Sequence, residues 1–326
     1  MKICVFGAGA IGGHLVARLA AGGAEVSVVA RGAHLAAMQA NGIRVRTPDR
    51  TLHHKVAASS DPAALGRQDA VLACVKAPAL ASVAAGIAPL LGPDTVVAFV
   101  LNGIPWWYFQ SHGGALDDRR MPRLDPQDAL RHAVGPRQVV GGVVYSSCTV
   151  IEPGVIEVEN ARSRLVLGAP DGAVTGGMEA IAAPLRAGGF QVDLTPRIRD
   201  AIWSKLLMNL CSGPFSVLGQ AAPKDIHADP VLVHAVRAVI AEGQAVASAL
   251  GCSPALDVER QIAAGRKMTH RPSILQDLDL GRPMEIDGIY DATLELARSS
   301  GVATPMLDML VALMKVRARE AGLYGG

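Results

Sequence analysis

The sequence predicts an α/β protein, with a doubly wound parallel sheet first and an all-helical domain after it. Three observations carry this. Short apolar runs at residues 2–6, 25–30, 70–75 and 95–101 alternate with helical spacing, as parallel strands covered on both faces require. A glycine-rich turn follows the first run and opens a helix. From about Pro196 strand signals cease, and 198–210, 230–250, 285–299 and 305–321 all show helical periodicity. The expected domains are therefore residues 1–195 and 196–326.

Taken in order, residues 12–21 place Leu15, Val16, Leu19 and Ala20 at helical spacing, and 78–91 reads as a crossover helix. Residues 42–57 alternate around Pro48-Asp49 and read as a small hairpin. Residues 106–138, with Asp117-Asp118-Arg119-Arg120 and two internal prolines, read as an inserted loop with at most a short helix, mostly solvated. Short strands return over 139–167, then a helix at 178–187 and a last strand at 190–194. Thr304-Pro305 gives the last helix an N-cap and a proline at its first position.

Composition excludes several classes of partner. Against 31 basic residues stand 29 acidic ones, a formal charge of +2, too even for nucleic acid or an acidic membrane surface. Every 18-residue apolar stretch is broken by charges or turn residues, so none is expected to span a bilayer. The run that starts the chain stops at Gly7 after four apolar residues, a strand rather than a signal segment. Cys4, Cys74, Cys148, Cys211 and Cys252 form no C-x-x-C pair, which argues for buried thiols in the reducing cytoplasm and against a disulfide framework or zinc site. A small molecule is the expected partner, and a homodimer stays open.

Gly7-Ala8-Gly9-Ala10-Ile11-Gly12 fits G-x-G-x-x-G. The first glycine allows a tight turn, the second lets backbone approach a pyrophosphate, and the third lets helix and strand pack closely. The hexapeptide alone is a weak signal, but here it follows a strand and opens a helix, as a dinucleotide site of Rossmann type demands. The second strand ends at Arg31, about where an NAD site carries an acid for the ribose 2′-hydroxyl. Arginine suits a 2′-phosphate, so the cofactor is read as NADP(H), against the alternative of a solvated loop residue. Lys76 and Asn102-Gly103 fall at the carboxyl ends of two strands, where ligands lie in such sheets. A lysine past a strand is commonly just solvated and Asn-Gly is a common turn; together they read as the lining of one cleft.

In the helical part, Lys205 and Asn209 stand four apart on an otherwise apolar segment and project from one face. Lys205 either snorkels to solvent or is partly desolvated and able to give up a proton. Ser273 and Glu285 follow, each also readable as an ordinary helix-start residue.

The pattern resembles the ketopantoate reductase family, the NADPH-dependent 2-dehydropantoate 2-reductases. The shared features are K-I-x-V-x-G-A-G-A-I-G from Lys2, Arg31, Val75-Lys76-Ala77, Asn102-Gly103, Trp203-x-Lys205-x-x-x-Asn209, Ser273-x-x-x-Asp277 and Glu285-Ile286-Asp287-Gly288. They run in order from Met1 to about Arg317. The resemblance implies a Rossmann-type domain before a helical one and reduction of a small 2-oxo acid to a 2-hydroxy acid. It implies that Lys205 is the general acid and Glu285 its acidic partner, holding the substrate hydroxyl or the nicotinamide ribose. Asn209 and Ser273 would bind the 2-oxo acid, and Asn102 would sit near the nicotinamide with Lys76 close by.

Two departures bear on the substrate. Gly213 stands where family members often have an asparagine, and Asn102-Gly103 leads into Ile104-Pro105-Trp106-Trp107-Tyr108-Phe109 and a long insert. Read as open space and an aromatic pocket wall, against the alternative that the aromatic run only anchors the insert to the sheet, they predict a 2-oxo acid with a bulkier or more apolar tail than ketopantoate. The alternatives are a reductase of another 2-oxo acid, a non-catalytic NADP(H) sensor, and an opine-type dehydrogenase. The joint presence of Lys205, Asn209, Ser273 and Glu285 favours an enzyme.

Overall fold

The computed structural model describes residues 1–160 and 162–325. The chain divides into two units, Met1–Leu101 with Pro105–Ile198, and Asn102–Ile104 with Arg199–Gly326.

Strands of the first unit are, in chain order, β1 (Lys2–Phe6), β2 (Glu25–Val29), β3 (Ile43–Arg46), β4 (Thr51–His54), β5 (Ala57–Ser59), β6 (Ala70–Ala73), β7 (Val96–Val100), β8 (Val139–Tyr145), β9 (Cys148–Glu152), β10 (Val155–Val158), β11 (Arg164–Gly168) and β12 (Gln191–Leu194). Eight of them form one sheet in the order β12-β11-β8-β7-β6-β1-β2-β5. All its pairs are parallel except β11 with β8. The strands β1, β6 and β7 are buried on both faces because helices cover them, which is why they read as continuous apolar runs. The helices of this unit are α1 (Ala10–Ala21), α2 (Gly32–Asn41), α3 (Leu80–Gly86), α4 (Ala129–Ala133) and α5 (Gly176–Ala187). Leu15 and Leu19 of α1 and Ile181 and Leu185 of α5 join Ile3, Val5 and Leu72 in the core.

Three expectations need correction here. The crossover over 78–91 is no single helix: Pro78 and Pro89 each open a 3₁₀ turn, and only Leu80–Gly86 between them is α-helical. The hairpin of β3 and β4 does not stand alone. Its β3 pairs with β10, giving a second sheet ordered β4-β3-β10-β9, in which β9 had no clear sequence signal. Ile43, Val45 and Ile156 of this sheet are fully buried, and a Cβ on Gly13 of α1 would lie 2.0 Å from Ile156 Cδ1, so α1 must be small there.

The third correction concerns 106–138. Trp106–Gln110 are buried, not solvated: Trp106 meets Phe99 of β7 edge-on at 5.5 Å, and Trp107 lies where a Cβ on Gly141 would be. Apolar area of that size is retained in the core rather than left in water. Met121, Leu124 and Leu130 are buried too, and Asp125 caps α4 by accepting from Leu130 and Arg131 N–H at 2.8 and 3.1 Å. The stretch 111–120 is largely exposed, and beyond it exposed residues alternate with these buried anchors.

The second unit consists of α6 (Ile198–Gly219, its first residue in the first unit), α7 (Pro223–Ile226), α8 (Pro230–Ala249), α9 (Val258–Gly265), α10 (Ser273–Asp279), α11 (Ala292–Ser299) and α12 (Pro305–Glu320). A π-helical turn, Asp287–Asp291, leads into α11. By length and composition α8 could cross a bilayer. Its polar residues are used within the unit instead: Arg237 forms a two-pronged pair with Glu259 of α9 at 2.9 Å, and Glu242 reaches α12. Thr304 precedes α12 as expected, yet its hydroxyl bonds Asp308 rather than capping the helix. Glu242 does that, accepting from Met306 and Leu307 N–H at 2.9 and 2.8 Å.

Candidate functional site

In the first unit, Gly7, Ala8, Gly9, Arg31 and His34 line one open groove of about 200 Å³, with Phe6, Val29, Ala30 and Val75. The three glycines differ in what they permit. Gly7 sits at φ +101°, a left-handed conformation that side chains disfavour. A Cβ on Gly12 would fall 1.9 Å from the Gly7 carbonyl oxygen, so α1 could not pack so closely on β1. Gly9 faces open space, with nothing within 4 Å of a Cβ. The helix behind the loop begins at Ala10 and Ile11 with no side-chain cap and no acid in its first turn, leaving its amide end for an anion. These residues fit the pyrophosphate of a dinucleotide.

Arg31 is exposed at the end of β2 and precedes α2, which also has no side-chain cap. His34 is a groove residue that sequence reasoning missed, since α2 itself was not foreseen. Its Nδ1 accepts from Gly154 N–H at 3.2 Å, which places the ring proton on Nε2. Burial lowers its pKa, keeping the ring neutral. Lys76 is exposed at the head of the 3₁₀ turn after β6, and its neighbour Val75 is the groove residue.

In the second unit, Lys205 and Asn209 lie one turn apart on α6, both half-buried, amid fully buried Trp203, Leu206 and Leu207. Burial pulls the Lys205 pKa below that of an ordinary lysine, which makes the ammonium a readier proton donor. Half-buried Glu285 precedes the π turn, and several segments converge there. Ile104 N–H donates to the Gly288 carbonyl at 2.8 Å, and a Cβ on Gly103 would stand 2.2 Å from that oxygen, so Asn102-Gly103 is seated against the turn. Tyr290, within the turn, donates its hydroxyl to the Asn209 carbonyl at 3.4 Å. Ser273 is exposed at the start of α10, whose Ile274 reaches the Gly213 region of α6. Asn102, Asn209 and Glu285 are thus linked through one turn.

Neither Gly213 nor the aromatic run widens a substrate pocket, contrary to expectation. Gly213 leaves no space, because the Tyr290 hydroxyl would lie 1.9 Å from a Cβ there. Burial, with smaller contributions from Cys211 and Glu285, raises the Tyr290 pKa, so the phenol stays protonated in that place. Trp106–Phe109 are packed into the first unit's core, as described above.

Comparison with known proteins follows the same layout. Residues 3–172 match the family Ketopantoate reductase PanE/ApbA, and 197–318 match its C-terminal counterpart. The chain is 41% identical to a 2-dehydropantoate 2-reductase from Mesorhizobium japonicum, over 99% of this chain and 100% of the relative. Among solved structures it is similar to a candidate ketopantoate reductase from Ralstonia solanacearum MolK2, with TM-score 0.91, 41% identity and 99% of each chain covered. It is also similar to 2-dehydropantoate 2-reductase from Methylococcus capsulatus, with TM-score 0.82, 30% identity and 98% of each chain covered. With both halves matched in order and a relative this similar along its full length, the chain belongs to the ketopantoate reductase family of NADP-dependent oxidoreductases acting on CH–OH groups.

Proposed function

We propose that this chain reduces the ketone of 2-dehydropantoate to the 2-hydroxy acid. The observation that carries the reading is Lys205, a lysine whose burial lowers its pKa below that of an ordinary lysine, one turn from Asn209 on the family's helix. NADPH, when bound, supplies the hydride. Backbone N–H groups from Gly9, Ala10 and Ile11 take the pyrophosphate at the amide end of α1, Gly7 and Gly12 shape the loop that lets it approach, and Arg31 takes the 2′-phosphate. Lys76 and Asn102 serve the nicotinamide end. Asn209 and Ser273 hold the 2-oxo acid, and Glu285 holds the substrate hydroxyl or the ribose.

Negative charge grows on the ketone oxygen as the carbon accepts hydride. Lys205 stabilises that charge and passes its Nζ proton to the oxygen. The five cysteines, none of them in a disulfide among the described residues, fit a reducing, cytoplasmic setting.

The absence of open space at Gly213 removes the ground for preferring a bulkier substrate. The test follows NADPH absorbance over a panel of 2-oxo acids. Ketopantoate is expected to give the highest kcat/KM, above branched and aromatic analogues. A better analogue would overturn the substrate, and no turnover of any would favour an NADP(H) sensor.

A further inference from the structure

The π turn Asp287–Asp291 connects to three segments that carry candidate site residues: Glu285 just before it, Asn102-Gly103 against Gly288, and Asn209 through Tyr290. Turns of this kind cost regular helix geometry and persist where neighbouring contacts hold them. A fourth segment, after α12, holds this one. The Tyr324 hydroxyl lies 3.1 Å from Asp287 Oδ1 and 3.0 Å from Asp291 Oδ2, so its one O–H is within bonding distance of both carboxylates. Lys315 of α12 pairs with Asp291, and its ammonium stands 5.8 Å from the centre of the Tyr324 ring. The Arg319 guanidinium is also 5.8 Å from that ring. One residue back, the Leu323 carbonyl accepts from the N–H of Met284, the residue immediately before Glu285, at 3.3 Å. The segment 323–324 therefore grips the chain on both sides of Glu285. Burial first, then the charges of Asp291 and Asp287, raise the Tyr324 pKa, so the phenol keeps its proton, which the two acids share.

We infer that Tyr324 is a positioning residue for the reaction: by tying Asp287 and Asp291 it fixes the π turn, and through the turn it sets Glu285 for the substrate and Asn102 for the nicotinamide end. It acts through these residues and needs no contact with the substrate. The inference rests on the reading that Glu285 serves the substrate, and the test separates the two.

Tyr324→Phe keeps the ring and removes only the hydroxyl. The expected result is a KM for 2-dehydropantoate raised about 5- to 50-fold, the scale of losing charge-assisted hydrogen bonds, with kcat within about threefold. NADPH affinity, by fluorescence titration, should fall by no more than about threefold, because the phosphate contacts lie elsewhere, and the thermal midpoint by no more than a few degrees. Glu285→Gln is measured beside it. A Glu285→Gln enzyme with parental constants would overturn the functional reading itself. If Glu285→Gln is impaired while Tyr324→Phe behaves as the parent, the positioning role falls and the reading stands. A Tyr324→Phe enzyme whose melting point and NADPH affinity fall well beyond those limits as KM rises would show a merely structural role, which also overturns the inference.

Discussion

A single glycine illustrates how a residue's meaning depends on what stands opposite it. Gly213 lacks a side chain because the Tyr290 hydroxyl occupies that volume, 1.9 Å from an ideal Cβ, with the ring carbon behind it at 3.1 Å. Gly213→Ala should therefore destabilise the protein by about 1–3 kcal/mol, the usual scale of overpacking. Adding Tyr290→Phe, which removes the clashing oxygen, should recover most of that loss. Urea titration of the two single variants and the double gives the coupling directly; strict additivity would mean that the two side chains do not compete. Arg31 tests the cofactor in the same way. Arg31→Asp should weaken NADPH binding by about 1.5–3 kcal/mol and leave NADH little changed, as a fluorescence titration with both nucleotides would show. Lys205→Ala should lower turnover by about 100-fold or more while NADPH still binds. Because burial lowers the Lys205 pKa, the protonated donor is lost as pH rises at values below the 10.5 of an ordinary lysine. The alkaline limb of kcat should lie there and disappear from the residual activity of Lys205→Ala.

Among the elements, α12 has the most conventional sequence signal and an unexpected cap. Thr304-Pro305 marks the helix start correctly, since proline has no N–H to satisfy in a first turn. The hydroxyl of Thr304 is committed to Asp308, and the two N–H groups are taken by Glu242 from α8. A carboxylate there also opposes the positive end of the helix. Glu242→Ala should cost about 1–2 kcal/mol, the scale of a lost cap, and Thr304→Ala should cost less, measured as midpoints of urea unfolding. Equal losses would return the capping role to Thr304. The small sheet makes the same point: the β3–β4 hairpin is legible from alternation around Pro48-Asp49, whereas its parallel partner β10 lies more than a hundred residues away.

On the scale of the folded protein, acid stability is tied to a buried polar network in the first unit. His14, on α1 behind the glycine loop, accepts from Arg18 Nε at 3.1 Å through Nε2, so its proton sits on Nδ1 and reaches Ser146 Oγ at 3.1 Å. Ser146 bonds Ser163, and Arg18 donates to the Gly188 carbonyl at 3.0 Å, tying α1 to the ends of β8, β11 and α5. Burial, and then the Arg18 charge, lower the His14 pKa to about 3 from 6.5. Its folded pKa is thus below the unfolded one, and the unfolded chain binds the extra proton. The stability His14 contributes is complete above pH 6.5 and is lost as pH falls toward about 3. At pH 5 the loss should be on the order of 2 kcal/mol. His14→Gln should flatten this dependence, seen by comparing urea unfolding at pH 7 and pH 5 for variant and parent. An unchanged slope would show that the carboxylates alone set acid stability.

Turn and period chemistry is local, and that is the part of this protein its sequence determined. The glycine loop with its strand and helix, Arg31 after the second strand, the change to helical periodicity near Pro196 and the Lys205–Asn209 spacing all depend on residues within a few positions of one another. Gly7 is forced by its φ and Gly12 by a backbone approach, both within one βα turn. Tertiary structure decided what local rules cannot reach. Tyr290 meets Asn209 across 81 residues, and Tyr324 meets Asp287 across 37. Trp106–Phe109 read either as an aromatic pocket wall or as an anchor for the insert, and β7 and β8 provide the core that buries them. Whether an apolar side chain or a missing one faces a ligand or a neighbour depends on which surfaces the whole chain brings together. That is settled by burial of area summed over the unit, and one stretch of sequence does not contain it.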